Sequence, residues 1–480
     1  MATIERRVAG RWTAAPPASA RTGGGRPGVR DPYLLAAGFF VVYTVISVGR
    51  YRDLRTRSWD LGIFEQAVRS YAHLRTPVSD LKGPGFPILG DHFSPVTALL
   101  APAYRVFPTP VTLLVAQAAL FALAVIPVAR VSGSLLGRAT GLTLGTVFGL
   151  SWGIQQAVDF DFHEICFAVP LIAFALEAVL RQRWRAALGW ALPLVLVKED
   201  LGLTLAAIAL VVAVRARHRA PQLLRTAGLV ALFGVLACVL TLTVLIPFFN
   251  SAGDYDYWNK LNEESGGGGP WGALLAGGGE KLRTVLWLLL PTGALLALRS
   301  PLLLVALPTL GWRFVSHEPH YWGTDWHYSA VLMPVVALAL TDALAHSRSS
   351  PRVWLRQGAR FVPAGLLGAA LALAPTLPVA ALAESETYRP GAVAVAGREV
   401  LATVPDGAEV AANVRPIAQL TGRCRVFWIG DPSVPAPEYL AYYGQGMSGD
   451  AMLRRAAGLY PETVYSVVAD DSGYFVLRRK

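Results

Sequence analysis

Eleven mostly apolar runs recur along this chain, and they constrain its fold more than any other feature. A helix of about 20 apolar residues crosses a bilayer core. In lipid, only helices and closed barrels satisfy their own backbone groups. The runs cover 33–49, 111–130, 139–157, 162–180, 186–197, 201–214, 226–247, 284–298, 301–315, 329–345 and 361–383. None has the ten-residue alternation of an outer-membrane strand. The expected class is therefore an α-helical polytopic membrane protein of about 11 spans. Composition agrees, with 54% hydrophobic and only 16% charged residues, where soluble domains carry about 25% charged residues. The three cysteines, Cys166, Cys238 and Cys424, have neither a disulfide framework nor zinc-ligand spacing.

Basic loops set the expected orientation, because Lys and Arg stay on the cytoplasmic side. Arg130 and Arg138 flank one loop, and Arg181, Arg183 and Arg185 crowd the next. Arg215, Arg217, Arg219 and Arg225 fill a third, Arg299 marks a fourth, and Arg348, Arg352, Arg356 and Arg360 a fifth. Keeping all five inside places the N-terminus in the cytoplasm and the C-terminus outside. Residues 1–30 read as a disordered basic cytoplasmic tail and 31–384 as the transmembrane domain, with a first outer loop at about 50–110. Arg50, Arg52, Arg55 and Arg57 oppose this arrangement, since they follow the first span and fall outside. The run 186–214 is interrupted by Lys198-Glu199-Asp200. As one helix it would bury three charges at roughly 2.5–3.5 kcal/mol each. Two short helices with the charges at their tip avoid this if the tip lines a wet cavity. The segment His92 to Pro110, broken by Pro95 and Pro102, reads as a re-entrant or interfacial helix.

With that orientation the polar segments gather outside. They are Ser58–Tyr71, Gly90–Pro95, the "DFDFHE" turn, the "KED" tip, Tyr255–Gly269 and Arg313–Ser329. Each has a plainer explanation. Trp and Tyr form interfacial belts, Asp60 suits a helix N-cap, and the outer arginines suit anionic headgroups. Four ionisable groups in one turn exceed what a turn needs. Charges drawn toward the bilayer mark functional sites. Transfer to a hydroxyl acceptor needs a carboxylate base, and a departing phosphate needs cations. Lys198, Arg313, His317, His327 and the arginines at 52, 55 and 57 are available for the phosphate.

The motifs "WDLGIFEQAV", "GDHFSP", "FDFHE" and "VKEDLGLT" resemble a family of predicted bacterial and archaeal membrane proteins of unknown function grouped with the GT-C superfamily of membrane glycosyltransferases. The resemblance covers roughly 33–345. It implies interfacial helices in the first outer loop and an acid just after the first span. It also implies sugar transfer from a polyprenyl-phosphate donor to a glycan, lipid or protein acceptor of the cell envelope, on the outer face. On that footing the expected catalytic residues are Asp60, Asp161, His163 and Glu164. The expected substrate-binding residues are Glu65, Asp91, His92, Asp159, Lys198, Glu199, Asp200, Arg313, His317, His327 and Tyr328. The sequence departs from the two-acid pattern. Glu65, five positions after Asp60, is rotated ~140° away on a helix. That departure counts against a metal-bound, two-acid mechanism, so a divalent metal, Mg or Mn, is an optional rather than a required cofactor in this reading.

Residues 385–480 differ in kind. They carry ten basic and ten acidic residues. "GAEVAAN", "CRVFWIG", "TVYSVVA" and "GYFVLRR" read as strands, and "GREVLATV" and "DAMLRRAAGLY" as helices. A small extracytoplasmic α/β domain follows, without a phosphate-binding loop. It is expected to cover the cavity or grip the acceptor. Membrane lipids are expected partners and nucleic acid is not. A transporter or lipid flippase coupling ions through these acids and histidines is the main alternative, although no inverted repeat is evident. A non-catalytic envelope scaffold is the other.

Overall fold

The computed structural model describes residues 28–250, 253, 272 and 274–480. The expected tail before residue 28 and the segment Tyr255–Gly269 lie outside the described residues. Four helices are long and apolar enough to cross a membrane: Asp31–Arg52, Pro110–Leu136, Leu223–Phe249 and Val353–Thr376. Shorter apolar helices occupy Trp184–Leu196, Leu201–Ala216 and Pro301–Val315.

The first helix, α1 (Asp31–Arg52), has Pro32 in its first turn, where the missing N–H costs nothing. It leads to α2 (Asp60–Ala72), which lies in the first loop and carries the first candidate acid. The interrupted segment after His92 forms a 3₁₀ turn (Pro95–Leu100) and the short α3 (Ala101–Val106). Next come α4 (Pro110–Leu136), α5 (Arg138–Gly149) and α6 (Trp152–Asp159). The expected continuous helix over 139–157 is thus two helices. Tyr43 on α1 donates to the Gly149 carbonyl at 2.6 Å, taking up an acceptor where the chain bends. After a short 3₁₀ turn, α7 (Ala168–Leu180) leads to α8 (Trp184–Ala191) and α9 (Leu201–Ala216). Lys198-Glu199-Asp200 sits between the last two, as the charge argument requires. The helix α10 (Leu223–Leu240) continues through a π-helical turn (Thr241–Leu245) into α11 (Ile246–Phe249).

The remaining described helices of this part are α12 (Gly278–Leu289), α13 (Leu307–Val315), α14 (Leu332–Arg348) and α15 (Val353–Leu373). The expected run 284–298 is also not one helix. It ends at Leu289, and Ala294 and Leu295 enter the left-handed region at φ 50° and 54°. Small residues let helices meet closely, as membrane packing favours. A Cβ on Gly202 of α9 would lie 2.3 Å from the Gly234 carbonyl oxygen of α10.

The C-terminal part holds α16 (Ala392–Leu401), α17 (Val414–Leu420) and α18 (Gly449–Leu459) around a five-stranded sheet. Its strands are β1 (Glu409–Ala412), β2 (Arg425–Trp428), β3 (Tyr439–Tyr443), β4 (Tyr465–Asp471) and β5 (Tyr474–Arg479), in the order β2-β1-β3-β5-β4. β1 pairs parallel with β2 and β3, while β5 runs antiparallel to β3 and β4. The four anticipated strands are present. β3 and α17 were not anticipated, since "YLAYY" is short and follows a proline-rich stretch. One face of the sheet shares its apolar core with the first loop, through Leu54, Ile63, Ala67, Leu81 and Ile88. The domain is thereby fixed to α2.

Candidate active site

A cavity of about 520 Å³ opens where three bodies meet: the first loop, the tips of the apolar helices, and the C-terminal sheet domain. Asp60 enters it from the first turn of α2. Its carboxylate makes no capping hydrogen bond to the helix; its own backbone N–H donates to Ser58 Oγ at 3.1 Å. The N-cap explanation for an acid here is therefore not the one realised. His163 and His327 face Asp60. Their rings stack with centroids 3.6 Å apart, and one ligand atom from each of the three residues lies within 4.8 Å of the others. Asp91, His92, Lys198, Glu199, Asp200 and Tyr328 also line the cavity.

Several of these groups are held by neighbours. His163 donates its backbone N–H to Gln117 Oε1 at 3.0 Å, and its Nδ1 lies 2.6 Å from Glu164 Oε2. A carboxylate behind one imidazole nitrogen orients the ring and leaves the other nitrogen to face the site. Lys198 Nζ lies 3.3 Å from Glu164 and 3.6 Å from Glu199. Asp91 pairs with Lys82 at 3.1 Å, and His92 Nδ1 is 3.9 Å from Glu199. Burial pushes the Asp60 carboxyl up and Asp200 up to about 6. Burial, joined by the charges of His163 and Lys198, pushes His327 well below its usual value and keeps the ring neutral. His327 Nδ1 is buried without a hydrogen-bond partner among the described residues.

Other expected site residues do not line the cavity. Asp159 is taken by Arg50 and Arg57, at 2.6 and 2.7 Å. Asp161 turns away because its backbone is left-handed, at φ 79°. Its Oδ2 accepts the Arg57 N–H at 3.1 Å, and its burial lifts the carboxyl to about 7. Glu164 is fully buried behind His163 and Lys198. Arg313 is 0% exposed; it donates to the Tyr321 and Gly323 carbonyls at 2.7 and 2.8 Å and to Ser329 at 3.1 Å, bracing the loop that carries His327. His317 is half-buried and off the lining. Glu65 faces the C-terminal domain, as its rotation on α2 dictates. It accepts hydrogen bonds from Tyr104, at 2.8 Å, and from Thr421. Of the arginines at 52, 55 and 57, only Arg57 reaches the lining, while Arg55 pairs with Asp53 and Glu384.

Sequence reasoning missed Trp59, Lys82, Trp326 and Trp428, all on the lining. Lys82 is one of only five lysines, which was a usable signal. Trp326 sits at φ 68°, a strained conformation for a bulky residue that no local pattern announces.

Asp60, His163 and His327 fit a divalent cation. The set contains an orphaned buried imidazole nitrogen and a carboxylate-backed partner histidine. Two imidazoles with one carboxylate suit iron or zinc better than the oxygen-preferring magnesium or manganese.

The fold matches the crystal structure of ArnT from Cupriavidus metallidurans bound to undecaprenyl phosphate, with TM-score 0.56 and 15% identity, over 94% of this chain and 98% of that one. ArnT from the same organism in the apo state gives 0.48 at 15% identity, covering 93% and 97%. The archaeal oligosaccharyltransferase AglB from Archaeoglobus fulgidus, in complex with an inhibitory peptide and a dolichol-phosphate, gives 0.38 at 12% identity, covering 93% and 74%. The first of these shows that the two chains share a fold. No curated protein matches the chain. The profile of a family described as "Predicted membrane protein (DUF2079)" matches residues 50–474.

Proposed function

The chain belongs to the DUF2079 family of predicted membrane proteins, and from that premise we propose that it is a glycosyltransferase using a polyprenyl-phosphate-linked sugar on the extracytoplasmic face. One observation carries the proposal. A single cavity between apolar helices and a soluble domain collects a carboxylate, two histidines and a lysine. Leu242, on the π-helical turn of an apolar helix, and Trp312 bring the membrane side to that cavity. The lipid carrier enters there. The sheet domain closes the opposite side, where the acceptor enters. The five basic loops support an orientation with the N-terminus inside and the C-terminal domain outside.

In the proposed reaction an acceptor hydroxyl oxygen attacks the anomeric carbon of the donor. The bond from that carbon to the phosphate oxygen breaks, and the lipid phosphate departs. Asp60 accepts the hydroxyl proton. Lys198 and Arg57 hold the developing phosphate charge. Asp60, His163 and His327 would hold a divalent cation, which when bound supplies further charge stabilisation for the phosphate. Glu164 keeps His163 oriented, and Arg313 keeps His327 in place.

Asp60→Asn keeps size and hydrogen bonding but removes the proton acceptor. With the reconstituted protein and a panel of undecaprenyl-phosphate sugars, transfer should fall on the order of 10²–10⁴-fold while donor binding persists. Transfer near the wild-type rate would remove Asp60 from the chemistry.

A further inference from the structure

The cavity has an aromatic side that the acid–base chemistry leaves unused. Trp59 and Trp428 both line it, and their rings meet edge to face with centroids 4.7 Å apart. Trp59 directly precedes Asp60, whereas Trp428 ends β2 of the C-terminal domain. Both are half-buried, so each keeps surface open to the cavity. Lys82 lies 5.5 Å from the Trp59 ring centroid and is anchored by Asp91. The pair is locked from behind. Gln66 Nε2 donates to the Val426 carbonyl at 2.8 Å, and Arg69 donates to the Thr421 and Cys424 carbonyls at 3.1 and 3.2 Å. The helix bearing Asp60 and the strand bearing Trp428 therefore hold a fixed relation.

We infer that Trp59 and Trp428 form a pyranose-binding platform, so that the acceptor is a carbohydrate. This rests on the glycosyltransferase reading above and names its acceptor class. One face of a pyranose ring presents several C–H bonds with slight positive charge. The face of an indole carries the negative lobe of its quadrupole. A sugar stacked on the pair places its hydroxyls beside Asp60, the residue next to Trp59. The position also separates the two substrates. A polyprenyl tail must come from the apolar helices at Leu242 and Trp312, which leaves the soluble-domain side to a water-borne ring. An anionic headgroup would use the charges of Lys82 and Arg57 and leave the flat indole faces beside them unused. An extended peptide would seek an open strand edge; β2 is an edge strand, but Gln66 takes up its Val426 carbonyl, and Trp428 is the β2 residue on the lining.

The test uses the full chain in nanodiscs. The probes are methyl glycosides and disaccharides of the common hexoses and N-acetylhexosamines, read by saturation-transfer NMR and titration. Undecaprenyl phosphate binding is measured in parallel. At least one glycoside should bind, with strongest transfer to the C–H protons of one ring face. Trp428→Leu keeps the apolar packing but removes the flat face, and should weaken that binding about tenfold. Trp428→Tyr should restore most of it, and undecaprenyl phosphate affinity should be unchanged in both. Unfolding curves of the variants confirm that each folds; if Trp428→Leu does not, Trp59→Leu replaces it with the same expectation. Undecaprenyl phosphate binding with no glycoside bound would overturn the platform and leave the glycosyltransferase reading standing. Glycoside binding equal in wild type and both leucine variants would also overturn it. Glycoside binding lost with Trp428, in a protein that ignores undecaprenyl phosphate, would keep the platform and overturn the lipid-donor reading. Binding of neither ligand overturns both.

Discussion

Replacing Glu65 with glutamine tests how the C-terminal domain is held to the helix that carries Asp60. Glu65 is 0% exposed, on the interior side of α2. Tyr104 and Thr421 donate to its two oxygens, and the charged group acting on it is Arg69 of the same helix. Tyr51, at the end of α1, also senses its charge. Burial outweighs these partners and pushes the carboxyl from 4.5 up to about 7. An acid raised in the folded state binds a proton there that the unfolded chain has released. Its contribution to stability is full below pH 4.5 and is lost as the pH rises through about 7. At about 1.36 kcal/mol per pH unit, that interval is worth about 3 kcal/mol as a ceiling. Glutamine cannot ionise, and its carbonyl still accepts one of the two hydroxyl bonds. Unfolding of wild type and Glu65→Gln in detergent should be compared from pH 4.5 to 8.5. The variant should be the more stable at pH 8, by up to about 3 kcal/mol, with the difference vanishing near pH 4.5. A difference that is constant across the range, or that grows toward acid, would refute the reasoning.

Three further outcomes follow from other contacts. Arg313→Ala leaves two carbonyls and a serine hydroxyl without their donor; at about 1–3 kcal/mol for each unsatisfied buried group it should be clearly destabilising, and calorimetry should show a matching drop in unfolding temperature. Arg313→Lys should recover part of that loss. Gly202→Leu forces a side chain against the Gly234 carbonyl and should cost about 1–3 kcal/mol or more by overpacking, read as lost yield and monodispersity in detergent. Lys198→Met removes the cation beside Glu164 and Glu199; undecaprenyl phosphate affinity should fall roughly 10–100-fold, the scale of a hydrogen bond to a charged group, and an unchanged affinity would move the phosphate role to Arg57.

The membrane class was legible because lipid imposes a local rule: a run must be apolar and helical where it crosses. The break at Lys198-Glu199-Asp200 was legible for the same reason, since buried charge is costly wherever it falls. The C-terminal strands "EVAA", "RVFW", "YSVVADD" and "YFVLRR" were readable from their β-branched and aromatic residues. Which acids share a cavity was not local. Asp159, Asp161 and His163 alternate in sequence, yet two arginines capture the first, a left-handed backbone turns the second, and only the third reaches the site. Arg313 looked like a phosphate ligand until packing placed it behind the loop it braces. Trp428 reaches the site from the far end of the chain only because the sheet domain shares its core with the first loop. Apolar runs and strand patterns follow from each segment's own solvent, so the sequence alone determined them. The direction of each charged side chain follows from which opposite charge or hydrogen-bond donor the folded chain brings within about 3 Å, and only the tertiary structure decided that.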